Sequence, residues 1–253
     1  MDQEEWILSR AEVYYLMKIL NADTMIGLGT AKRVAKKTLE RGRDSLARRG
    51  LIASGDKLDP VLESLVLASF FPDGALVVIR DLPQLGRQIL LFFRRGNMLI
   101  LHTFPKRYFH RLAPIDSLAE AVDLILRWFP LVAYSQSECS FLMAAEQFEA
   151  LRQEAESERR DAALQMLTAV PLSEEEKRSL IEAIEHRTIS GSFAAMRCAQ
   201  SEITEAHSVA IFAGPATAWL IMQPEGTAQK GQLLIRRIGR GFESVVSGLF
   251  QRI

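Results

Sequence analysis

Two stretches, Gly74-Ala75-Leu76-Val77-Val78-Ile79-Arg80 and Gly191-Ser192-Phe193-Ala194-Ala195-Met196-Arg197, decide how this chain is read. Each opens on glycine, runs through residues suited to a strand and closes on arginine six positions on. Each follows an apolar helical segment, Leu65 to Phe71 in one case and Leu180 to Arg187 in the other. A hairpin and an amphipathic helix then recur in the same order, at Gln88 to His102 and Asp116 to Phe129, and again at Ser208 to Gln223 and Gly239 to Gln251. The period is too long for a solenoid. It predicts a duplicated α+β unit with quasi-two-fold symmetry, its halves spanning 1–130 and 131–253 within one compact domain.

Working outward, Ser9-Arg10-Ala11-Glu12 is a capping box, and Val13, Leu16, Met17 and Leu20 give the helix behind it one apolar face. A sparsely apolar helix over Ala31 to Arg49 ends at Gly50, and Asp59-Pro60 opens another that carries Leu62, Leu65, Val66 and Phe70. A strand near Arg107 to Leu112 precedes a helix capped by Asp116 or Ser117, where Ser117-Leu118-Ala119-Glu120 is a second capping box. The second half begins with an extended crossover, Leu131 to Ser140, and a charged helical stretch, Glu146 to Asp161, which reads as a solvated face. Ser173-Glu174-Glu175-Glu176 is a third capping box, before Leu180, Ile181 and Ile184. Strands follow at Gly191 to Arg197, Ser208 to Ala213, Ala218 to Gln223 and Gln232 to Ile238, and the last helix carries Phe242, Val245, Val246, Leu249 and Phe250.

The hairpins are apolar on both faces. With Arg95-Gly96 as a two-residue turn, Phe93 pairs with Met98 and Leu91 with Ile100 on one side, and Phe92 with Leu99 and Leu90 with Leu101 on the other. Val209, Ile211, Phe212, Trp219, Leu220, Ile221 and Met222 leave the second hairpin no polar side either. An antiparallel sheet of this kind needs cover above and below, from its own helices or in part from a partner protein. Phe92, Leu99, Leu101, Trp219 and Ile221 are the candidate anchors for such a partner, and self-association into a homodimer is a further expectation.

Composition narrows the chemistry. The 253 residues are 48% hydrophobic and 25% charged, with 31 basic and 31 acidic side chains, so nothing demands a polyanionic partner. Cys139 and Cys198 are too few for a disulfide scaffold or a cysteine-based zinc site. Met1-Asp2-Gln3-Glu4-Glu5 lacks the positive start of a signal peptide and no apolar run is long enough for a membrane span, so a soluble cytoplasmic protein is expected. His102, His110, His186 and His207 show no metal-ligand spacing. Gly27-Leu28-Gly29-Thr30-Ala31-Lys32 follows a helical pattern rather than a strand and lacks the rest of a phosphate loop. There is no G-x-S-x-G elbow. The expectation is a protein without catalytic residues, metal or cofactor.

One basic feature supports an alternative. Lys32, Arg33, Lys36, Lys37 and Arg41 crowd one helix that follows a shorter helix and a glycine-bearing loop, the order of a winged helix-turn-helix that reads DNA.

At Arg43-Asp44-Ser45-Leu46-Ala47-Arg48-Arg49-Gly50-Leu51-Ile52, Leu58-Asp59-Pro60-Val61-Leu62 and Phe71-Pro72-Asp73 the chain resembles the EspG family, the cytosolic chaperones of type VII (ESX) secretion. Val170-Pro171-Leu172, the stretch from Gly191 to Arg197 and the C-terminal strand and helix extend the likeness over nearly the whole chain, as a pattern of spacing and residue class. The resemblance implies a quasi-two-fold fold with a central antiparallel sheet and two helical bundles. It also implies a non-enzymatic chaperone or adaptor whose client is a PE–PPE heterodimer, recognised by its exposed apolar tip, or another helical protein. Arg94 to Asn97 departs from the pattern: it is a tight turn, with no long inserted loop between central strands.

Overall fold

The computed structural model describes residues 6–30, 33–131, 138–199, 202–224, 231–239 and 241–253. The first half runs β1 (Trp6–Ser9), α1 (Arg10–Ile19), a small hairpin β2 (Thr24–Met25) and β3 (Gly29–Thr30), α2 (Lys36–Arg48), α3 (Pro60–Phe70), β4 (Gly74–Leu82), β5 (Gly86–Arg95), β6 (Met98–Thr103), β7 (Phe109–Ile115) and α4 (Leu118–Trp128). The second runs β8 (Ser140–Ala144), α5 (Ala145–Glu156), α6 (Arg160–Met166), α7 (Glu174–Glu185), β9 (Ile189–Ala199), β10 (Glu202–Ala213), β11 (Ala218–Met222), β12 (Gln232–Arg237) and α8 (Phe242–Gln251). Apart from the β2–β3 hairpin, element answers element. The ten-stranded antiparallel sheet is ordered β1-β7-β6-β5-β4-β9-β10-β11-β12-β8, which reads the same from either end once the halves are equated.

The seam between the halves is the pairing of β4 with β9. Val77 and Ala194, each the fourth residue of its repeated stretch, face one another, so the quasi-two-fold axis passes between them. The glycine and arginine that frame each stretch now have physical roles. A Cβ on Gly74 would lie 2.5 Å from the Ile253 carbonyl carbon, and one on Gly191 would lie 2.4 Å from the Ile79 oxygen and 2.8 Å from the Phe129 ring. Each glycine therefore admits a residue just beyond the terminal helix of the opposite half. Each arginine caps the terminal helix of its own half: Arg80 donates to the Trp128 carbonyl, and the Arg197 Nε donates to the Arg252 carbonyl at 3.0 Å.

Side chains alternate across the sheet into three cores. One face carries Leu76, Val78, Phe92, Phe193, Ala195, Ile211 and Leu220, all packed beneath α4 and α8. The opposite face is divided. Ala75, Leu91, Phe93, Ile100 and Leu112 pack under α1 and α3, with Leu46 joining them from α2. Phe141, Trp219, Ile221 and Ile235 pack under α5 and α7, with Ala163 joining from α6. The expected fold class, a duplicated α+β unit with a central antiparallel sheet and two helical bundles, is what the structure shows.

Several local expectations are corrected. Arg95 faces Met98 and Phe93 faces Ile100, so the hairpin turns on Gly96-Asn97 rather than Arg95-Gly96. Gly96, at φ +56°, supplies the positive φ that the first turn position needs. The register moves by two residues, which keeps every side chain on its expected face. The Leu131 to Ser140 crossover lies partly outside the described residues, and Ser140 opens an edge strand instead. The charged helix is two helices, broken at Glu158, whose φ is +59°. Ser9 and Ser173 close full capping boxes, but Glu120 reaches the Asp116 N–H rather than that of Ser117.

Candidate protein-binding surface

On the face divided between the two bundles, α3 rests on β5, β6 and β7, and α7 rests on β10 and β11. With strands about 4.8 Å apart, the axes of α3 and α7 stand roughly 20 Å from each other across β4 and β9. A helix with its side chains is about 10–12 Å wide and packs about 8–10 Å from a neighbour. One helix therefore fits between them. The floor of this gap is open to solvent: Val77, Ile79, Ser192 and Ala194 are only half-buried, and Ala206 and Ser208 on β10 are exposed. Serine and alanine dominate it, which lets another backbone approach closely.

One end of the strip is bounded by the β4–β5 turn. Leu85 there is 69% exposed, the largest exposure of any bulky apolar side chain among the described residues. Asp81, Leu82, Pro83, Glu185, Arg187 and Ser190 line a groove of about 500 Å³ beside it. Two of the three charges that line this groove, Arg187 and Asp81, are already partnered. Arg187 pairs with Glu156 at 3.0 Å and lies 5.8 Å from the centre of the Phe212 ring, and Arg87 pairs with Asp81 at 3.0 Å. A small-residue floor with a rim of mostly partnered charges suits recognition of another chain by shape.

The predicted anchors lie elsewhere. Phe92 and Trp219 are fully buried and Ile221 is 6% exposed, so these three are core side chains with no face left for a partner. Phe92 meets Phe250 edge-on at 5.2 Å, while Trp219 and Ile221 sit under the second bundle. Leu99 and Leu101 are half-buried against the core beneath α4 and α8. The apolar faces of the hairpins are thus covered mainly by the protein's own helices. The strip that stays open was missed because its residues are small, not greasy; the signal was the Gly191-Ser192 and Ala194-Ala195 pairs within a buried strand pattern.

Of the basic residues, Lys32 lies outside the described residues, and Arg33, Lys36, Lys37 and Arg41 are exposed at or just before α2. Lys36 is half of a surface pair with Glu40 at 3.7 Å. The expected wing is not in place. The β2–β3 hairpin precedes α2, and only an Ile52–Leu58 bridge separates α2 from α3. The order of elements therefore does not support a winged helix-turn-helix.

Among the described residues, no group of three or more His, Cys, Asp or Glu side chains is placed to hold a metal ion. His102 and His110 are buried and share a 2.9 Å hydrogen bond. Burial holds His102 down to about 3 and His110 down to about 4, with each further lowered by a neighbour, His110 and Arg10 respectively. Burial and a hydrogen bond to Glu176 push the Cys139 thiol up to about 11, and burial raises Cys198, so neither is an activated thiolate. No described helix is long and apolar enough to cross a membrane.

A palindromic sheet carrying paired helical bundles defines an EspG-like fold. Among solved structures, the chain is similar to the Mycobacterium tuberculosis type VII secretion system chaperone EspG5, determined in complex with a PE25–PPE41 dimer. The similarity has a TM-score of 0.68 and covers 99% of this chain and 95% of that one, at 11% sequence identity. It is a likeness of fold. No family model matches the sequence, and no curated protein is significantly similar to it.

Proposed function

We propose that this protein is a non-enzymatic chaperone or adaptor that shelters an apolar helical segment of a client on the open strip over β4 and β9. The observation that carries this reading is the one-helix gap between α3 and α7, floored by half-buried Val77, Ile79, Ser192 and Ala194. The fold shared with a type VII secretion chaperone supports it. The client would present its apolar side to the strip and so be kept from aggregating in the cytoplasm; a PE–PPE pair, such as the one bound in the similar EspG5 structure, or another helical protein is the class of client proposed. The mechanism is burial of matched surfaces, with no bond made or broken.

The test is a pair of pull-downs from the native host, one with the wild-type chain and one with Ala194→Trp, which fills the floor of the strip. The wild type is expected to recover one defined client in stoichiometric amount, and the variant to lose it while keeping its melting temperature within a few degrees. Recovery of the same client by both proteins, or an empty wild-type pull-down, would overturn the proposal.

A further inference from the structure

The two halves match in shape but not in charge. Residues 1–130 carry 19 Lys and Arg against 15 Asp and Glu, a net +4, while residues 131–253 carry 12 against 16, a net −4. The excess sits on exposed side chains of the bundles. Arg33, Lys36, Lys37 and Arg41 are exposed at or just before α2, and Lys36 is 90% exposed. Glu146 on α5, Glu158 between α5 and α6, Asp161 on α6 and Glu175 on α7 are exposed on the other bundle. Both bundles stand on the same face of the sheet. Met196 packs with the first bundle and faces Ala206 on β10, and continuing along β10 in steps of two reaches Ala210 and Phe212, which pack with the second.

We propose that two copies of this chain associate face to face about a two-fold axis that runs parallel to the central strands, with the basic bundle of each copy against the acidic bundle of the other. Such an axis exchanges left and right as the faces meet, so opposite charges come together twice and the contact closes on itself. An axis across the strands would stack basic on basic and acidic on acidic, and charge excludes it. A second copy is the partner that suits this surface because it presents both signs, at the same separation and on a face of the same shape. The association follows from the charges of the bundles and does not rest on a client in the strip.

Sedimentation velocity at 50 mM and 500 mM NaCl tests it. A dimer is expected at the lower salt, with the dissociation constant rising on the order of tenfold or more at the higher, where the Debye length is only a few ångströms. Lys36→Glu/Lys37→Glu/Arg41→Glu makes both bundles acidic, and Glu146→Lys/Glu158→Lys/Asp161→Lys/Glu175→Lys makes both basic. Each variant alone should be monomeric at 50 mM NaCl, with an unchanged circular dichroism spectrum, and an equimolar mixture should restore the dimer mass. A wild type that stays monomeric at low salt, a dimer indifferent to salt, a mass that grows beyond two copies with concentration, or a mixture that fails to pair would each overturn the proposal.

Discussion

Ile253 occupies the space that a side chain on Gly74 would need, with its carbonyl carbon 2.5 Å from where the Cβ would be. The quasi-two-fold axis turns this contact into its partner, Phe129 against Gly191. Both glycines have ordinary negative φ, so the requirement is for room and not for backbone freedom.

Gly74→Val and Gly191→Val should each lower stability by ~1–3 kcal/mol, the usual cost of overpacking a filled core. In a chain of this length each kcal/mol corresponds to about 2–4 °C in Tm. Gly248 on α8 is the control. A Cβ there meets nothing within 4 Å, so Gly248→Ala should leave Tm unchanged or raise it by the gain in helix propensity. Differential scanning calorimetry of the three variants decides; equal effects at all three positions would contradict the account.

The two capping arginines should differ in worth. Arg80 is half-buried, stacks 4.4 Å from the centre of the Trp128 ring and also donates to Gln88, whereas Arg197 is exposed and lies 3.6 Å from Glu205. Arg80→Ala is expected to cost ~1–3 kcal/mol in urea unfolding, because a cation–π contact and the partners of two donors are lost together. Arg197→Ala is expected to cost less than about 1 kcal/mol, as exposed pairs do.

Glu12 is 2% exposed, yet its carboxylate accepts from the Ser9 N–H at 2.6 Å, the Ser45 hydroxyl at 2.9 Å and Arg49 at 2.9 Å. Two of these donors, Ser45 and Arg49, join the start of α1 to the end of α2. Glu12→Ala should cost ~1–3 kcal/mol, the range for removing a cap and leaving donors unpaired. Hydrogen exchange should show the loss concentrated in α1 and α2. Uniform loss of protection across the sheet would point to a different role.

His102 and His110 make the fold sensitive to acid above the carboxylate range. Both are held below their unfolded value near 6.5, so the unfolded chain takes up protons first as the pH falls. Their contribution is complete above about pH 6.5 and is lost progressively toward about 4 and then about 3. Urea midpoints should therefore fall between pH 7 and 5, and His102→Leu/His110→Leu should flatten that slope. An unchanged slope in the double variant would show that other groups carry the effect.

The duplication and its internal order were legible because local signals carry them. Glycine and arginine frame each central strand, and Ser9, Asp59 and Ser173 mark helix starts that the structure reproduces. The edge strands Trp6–Ser9 and Ser140–Ala144 were not, since runs this short acquire strand character only by pairing with β7 and β12, far along the chain. The hairpin turn escaped for a different reason. A slip of two residues leaves both apolar faces intact, so alternation alone cannot choose between the Arg95-Gly96 and Gly96-Asn97 turns. The candidate surface was the least visible. Reasoning from apolar content selects Phe92 and Trp219, the side chains that folding hides first, while an open strip built of Ser192 and Ala194 looks unremarkable along the chain.

The seam between β4 and β9 has the geometry of a contact between identical subunits, with Val77 and Ala194 at its centre. Joining such subunits in one polypeptide removes the obligation that both carry the same residues. Each half is then free to drift wherever the seam and the contacts across it do not hold it, as those of Ile253 with Gly74 and Phe129 with Gly191 do. A molecule symmetrical in outline can thus become electrically lopsided, an option closed to any assembly of two identical half-length chains.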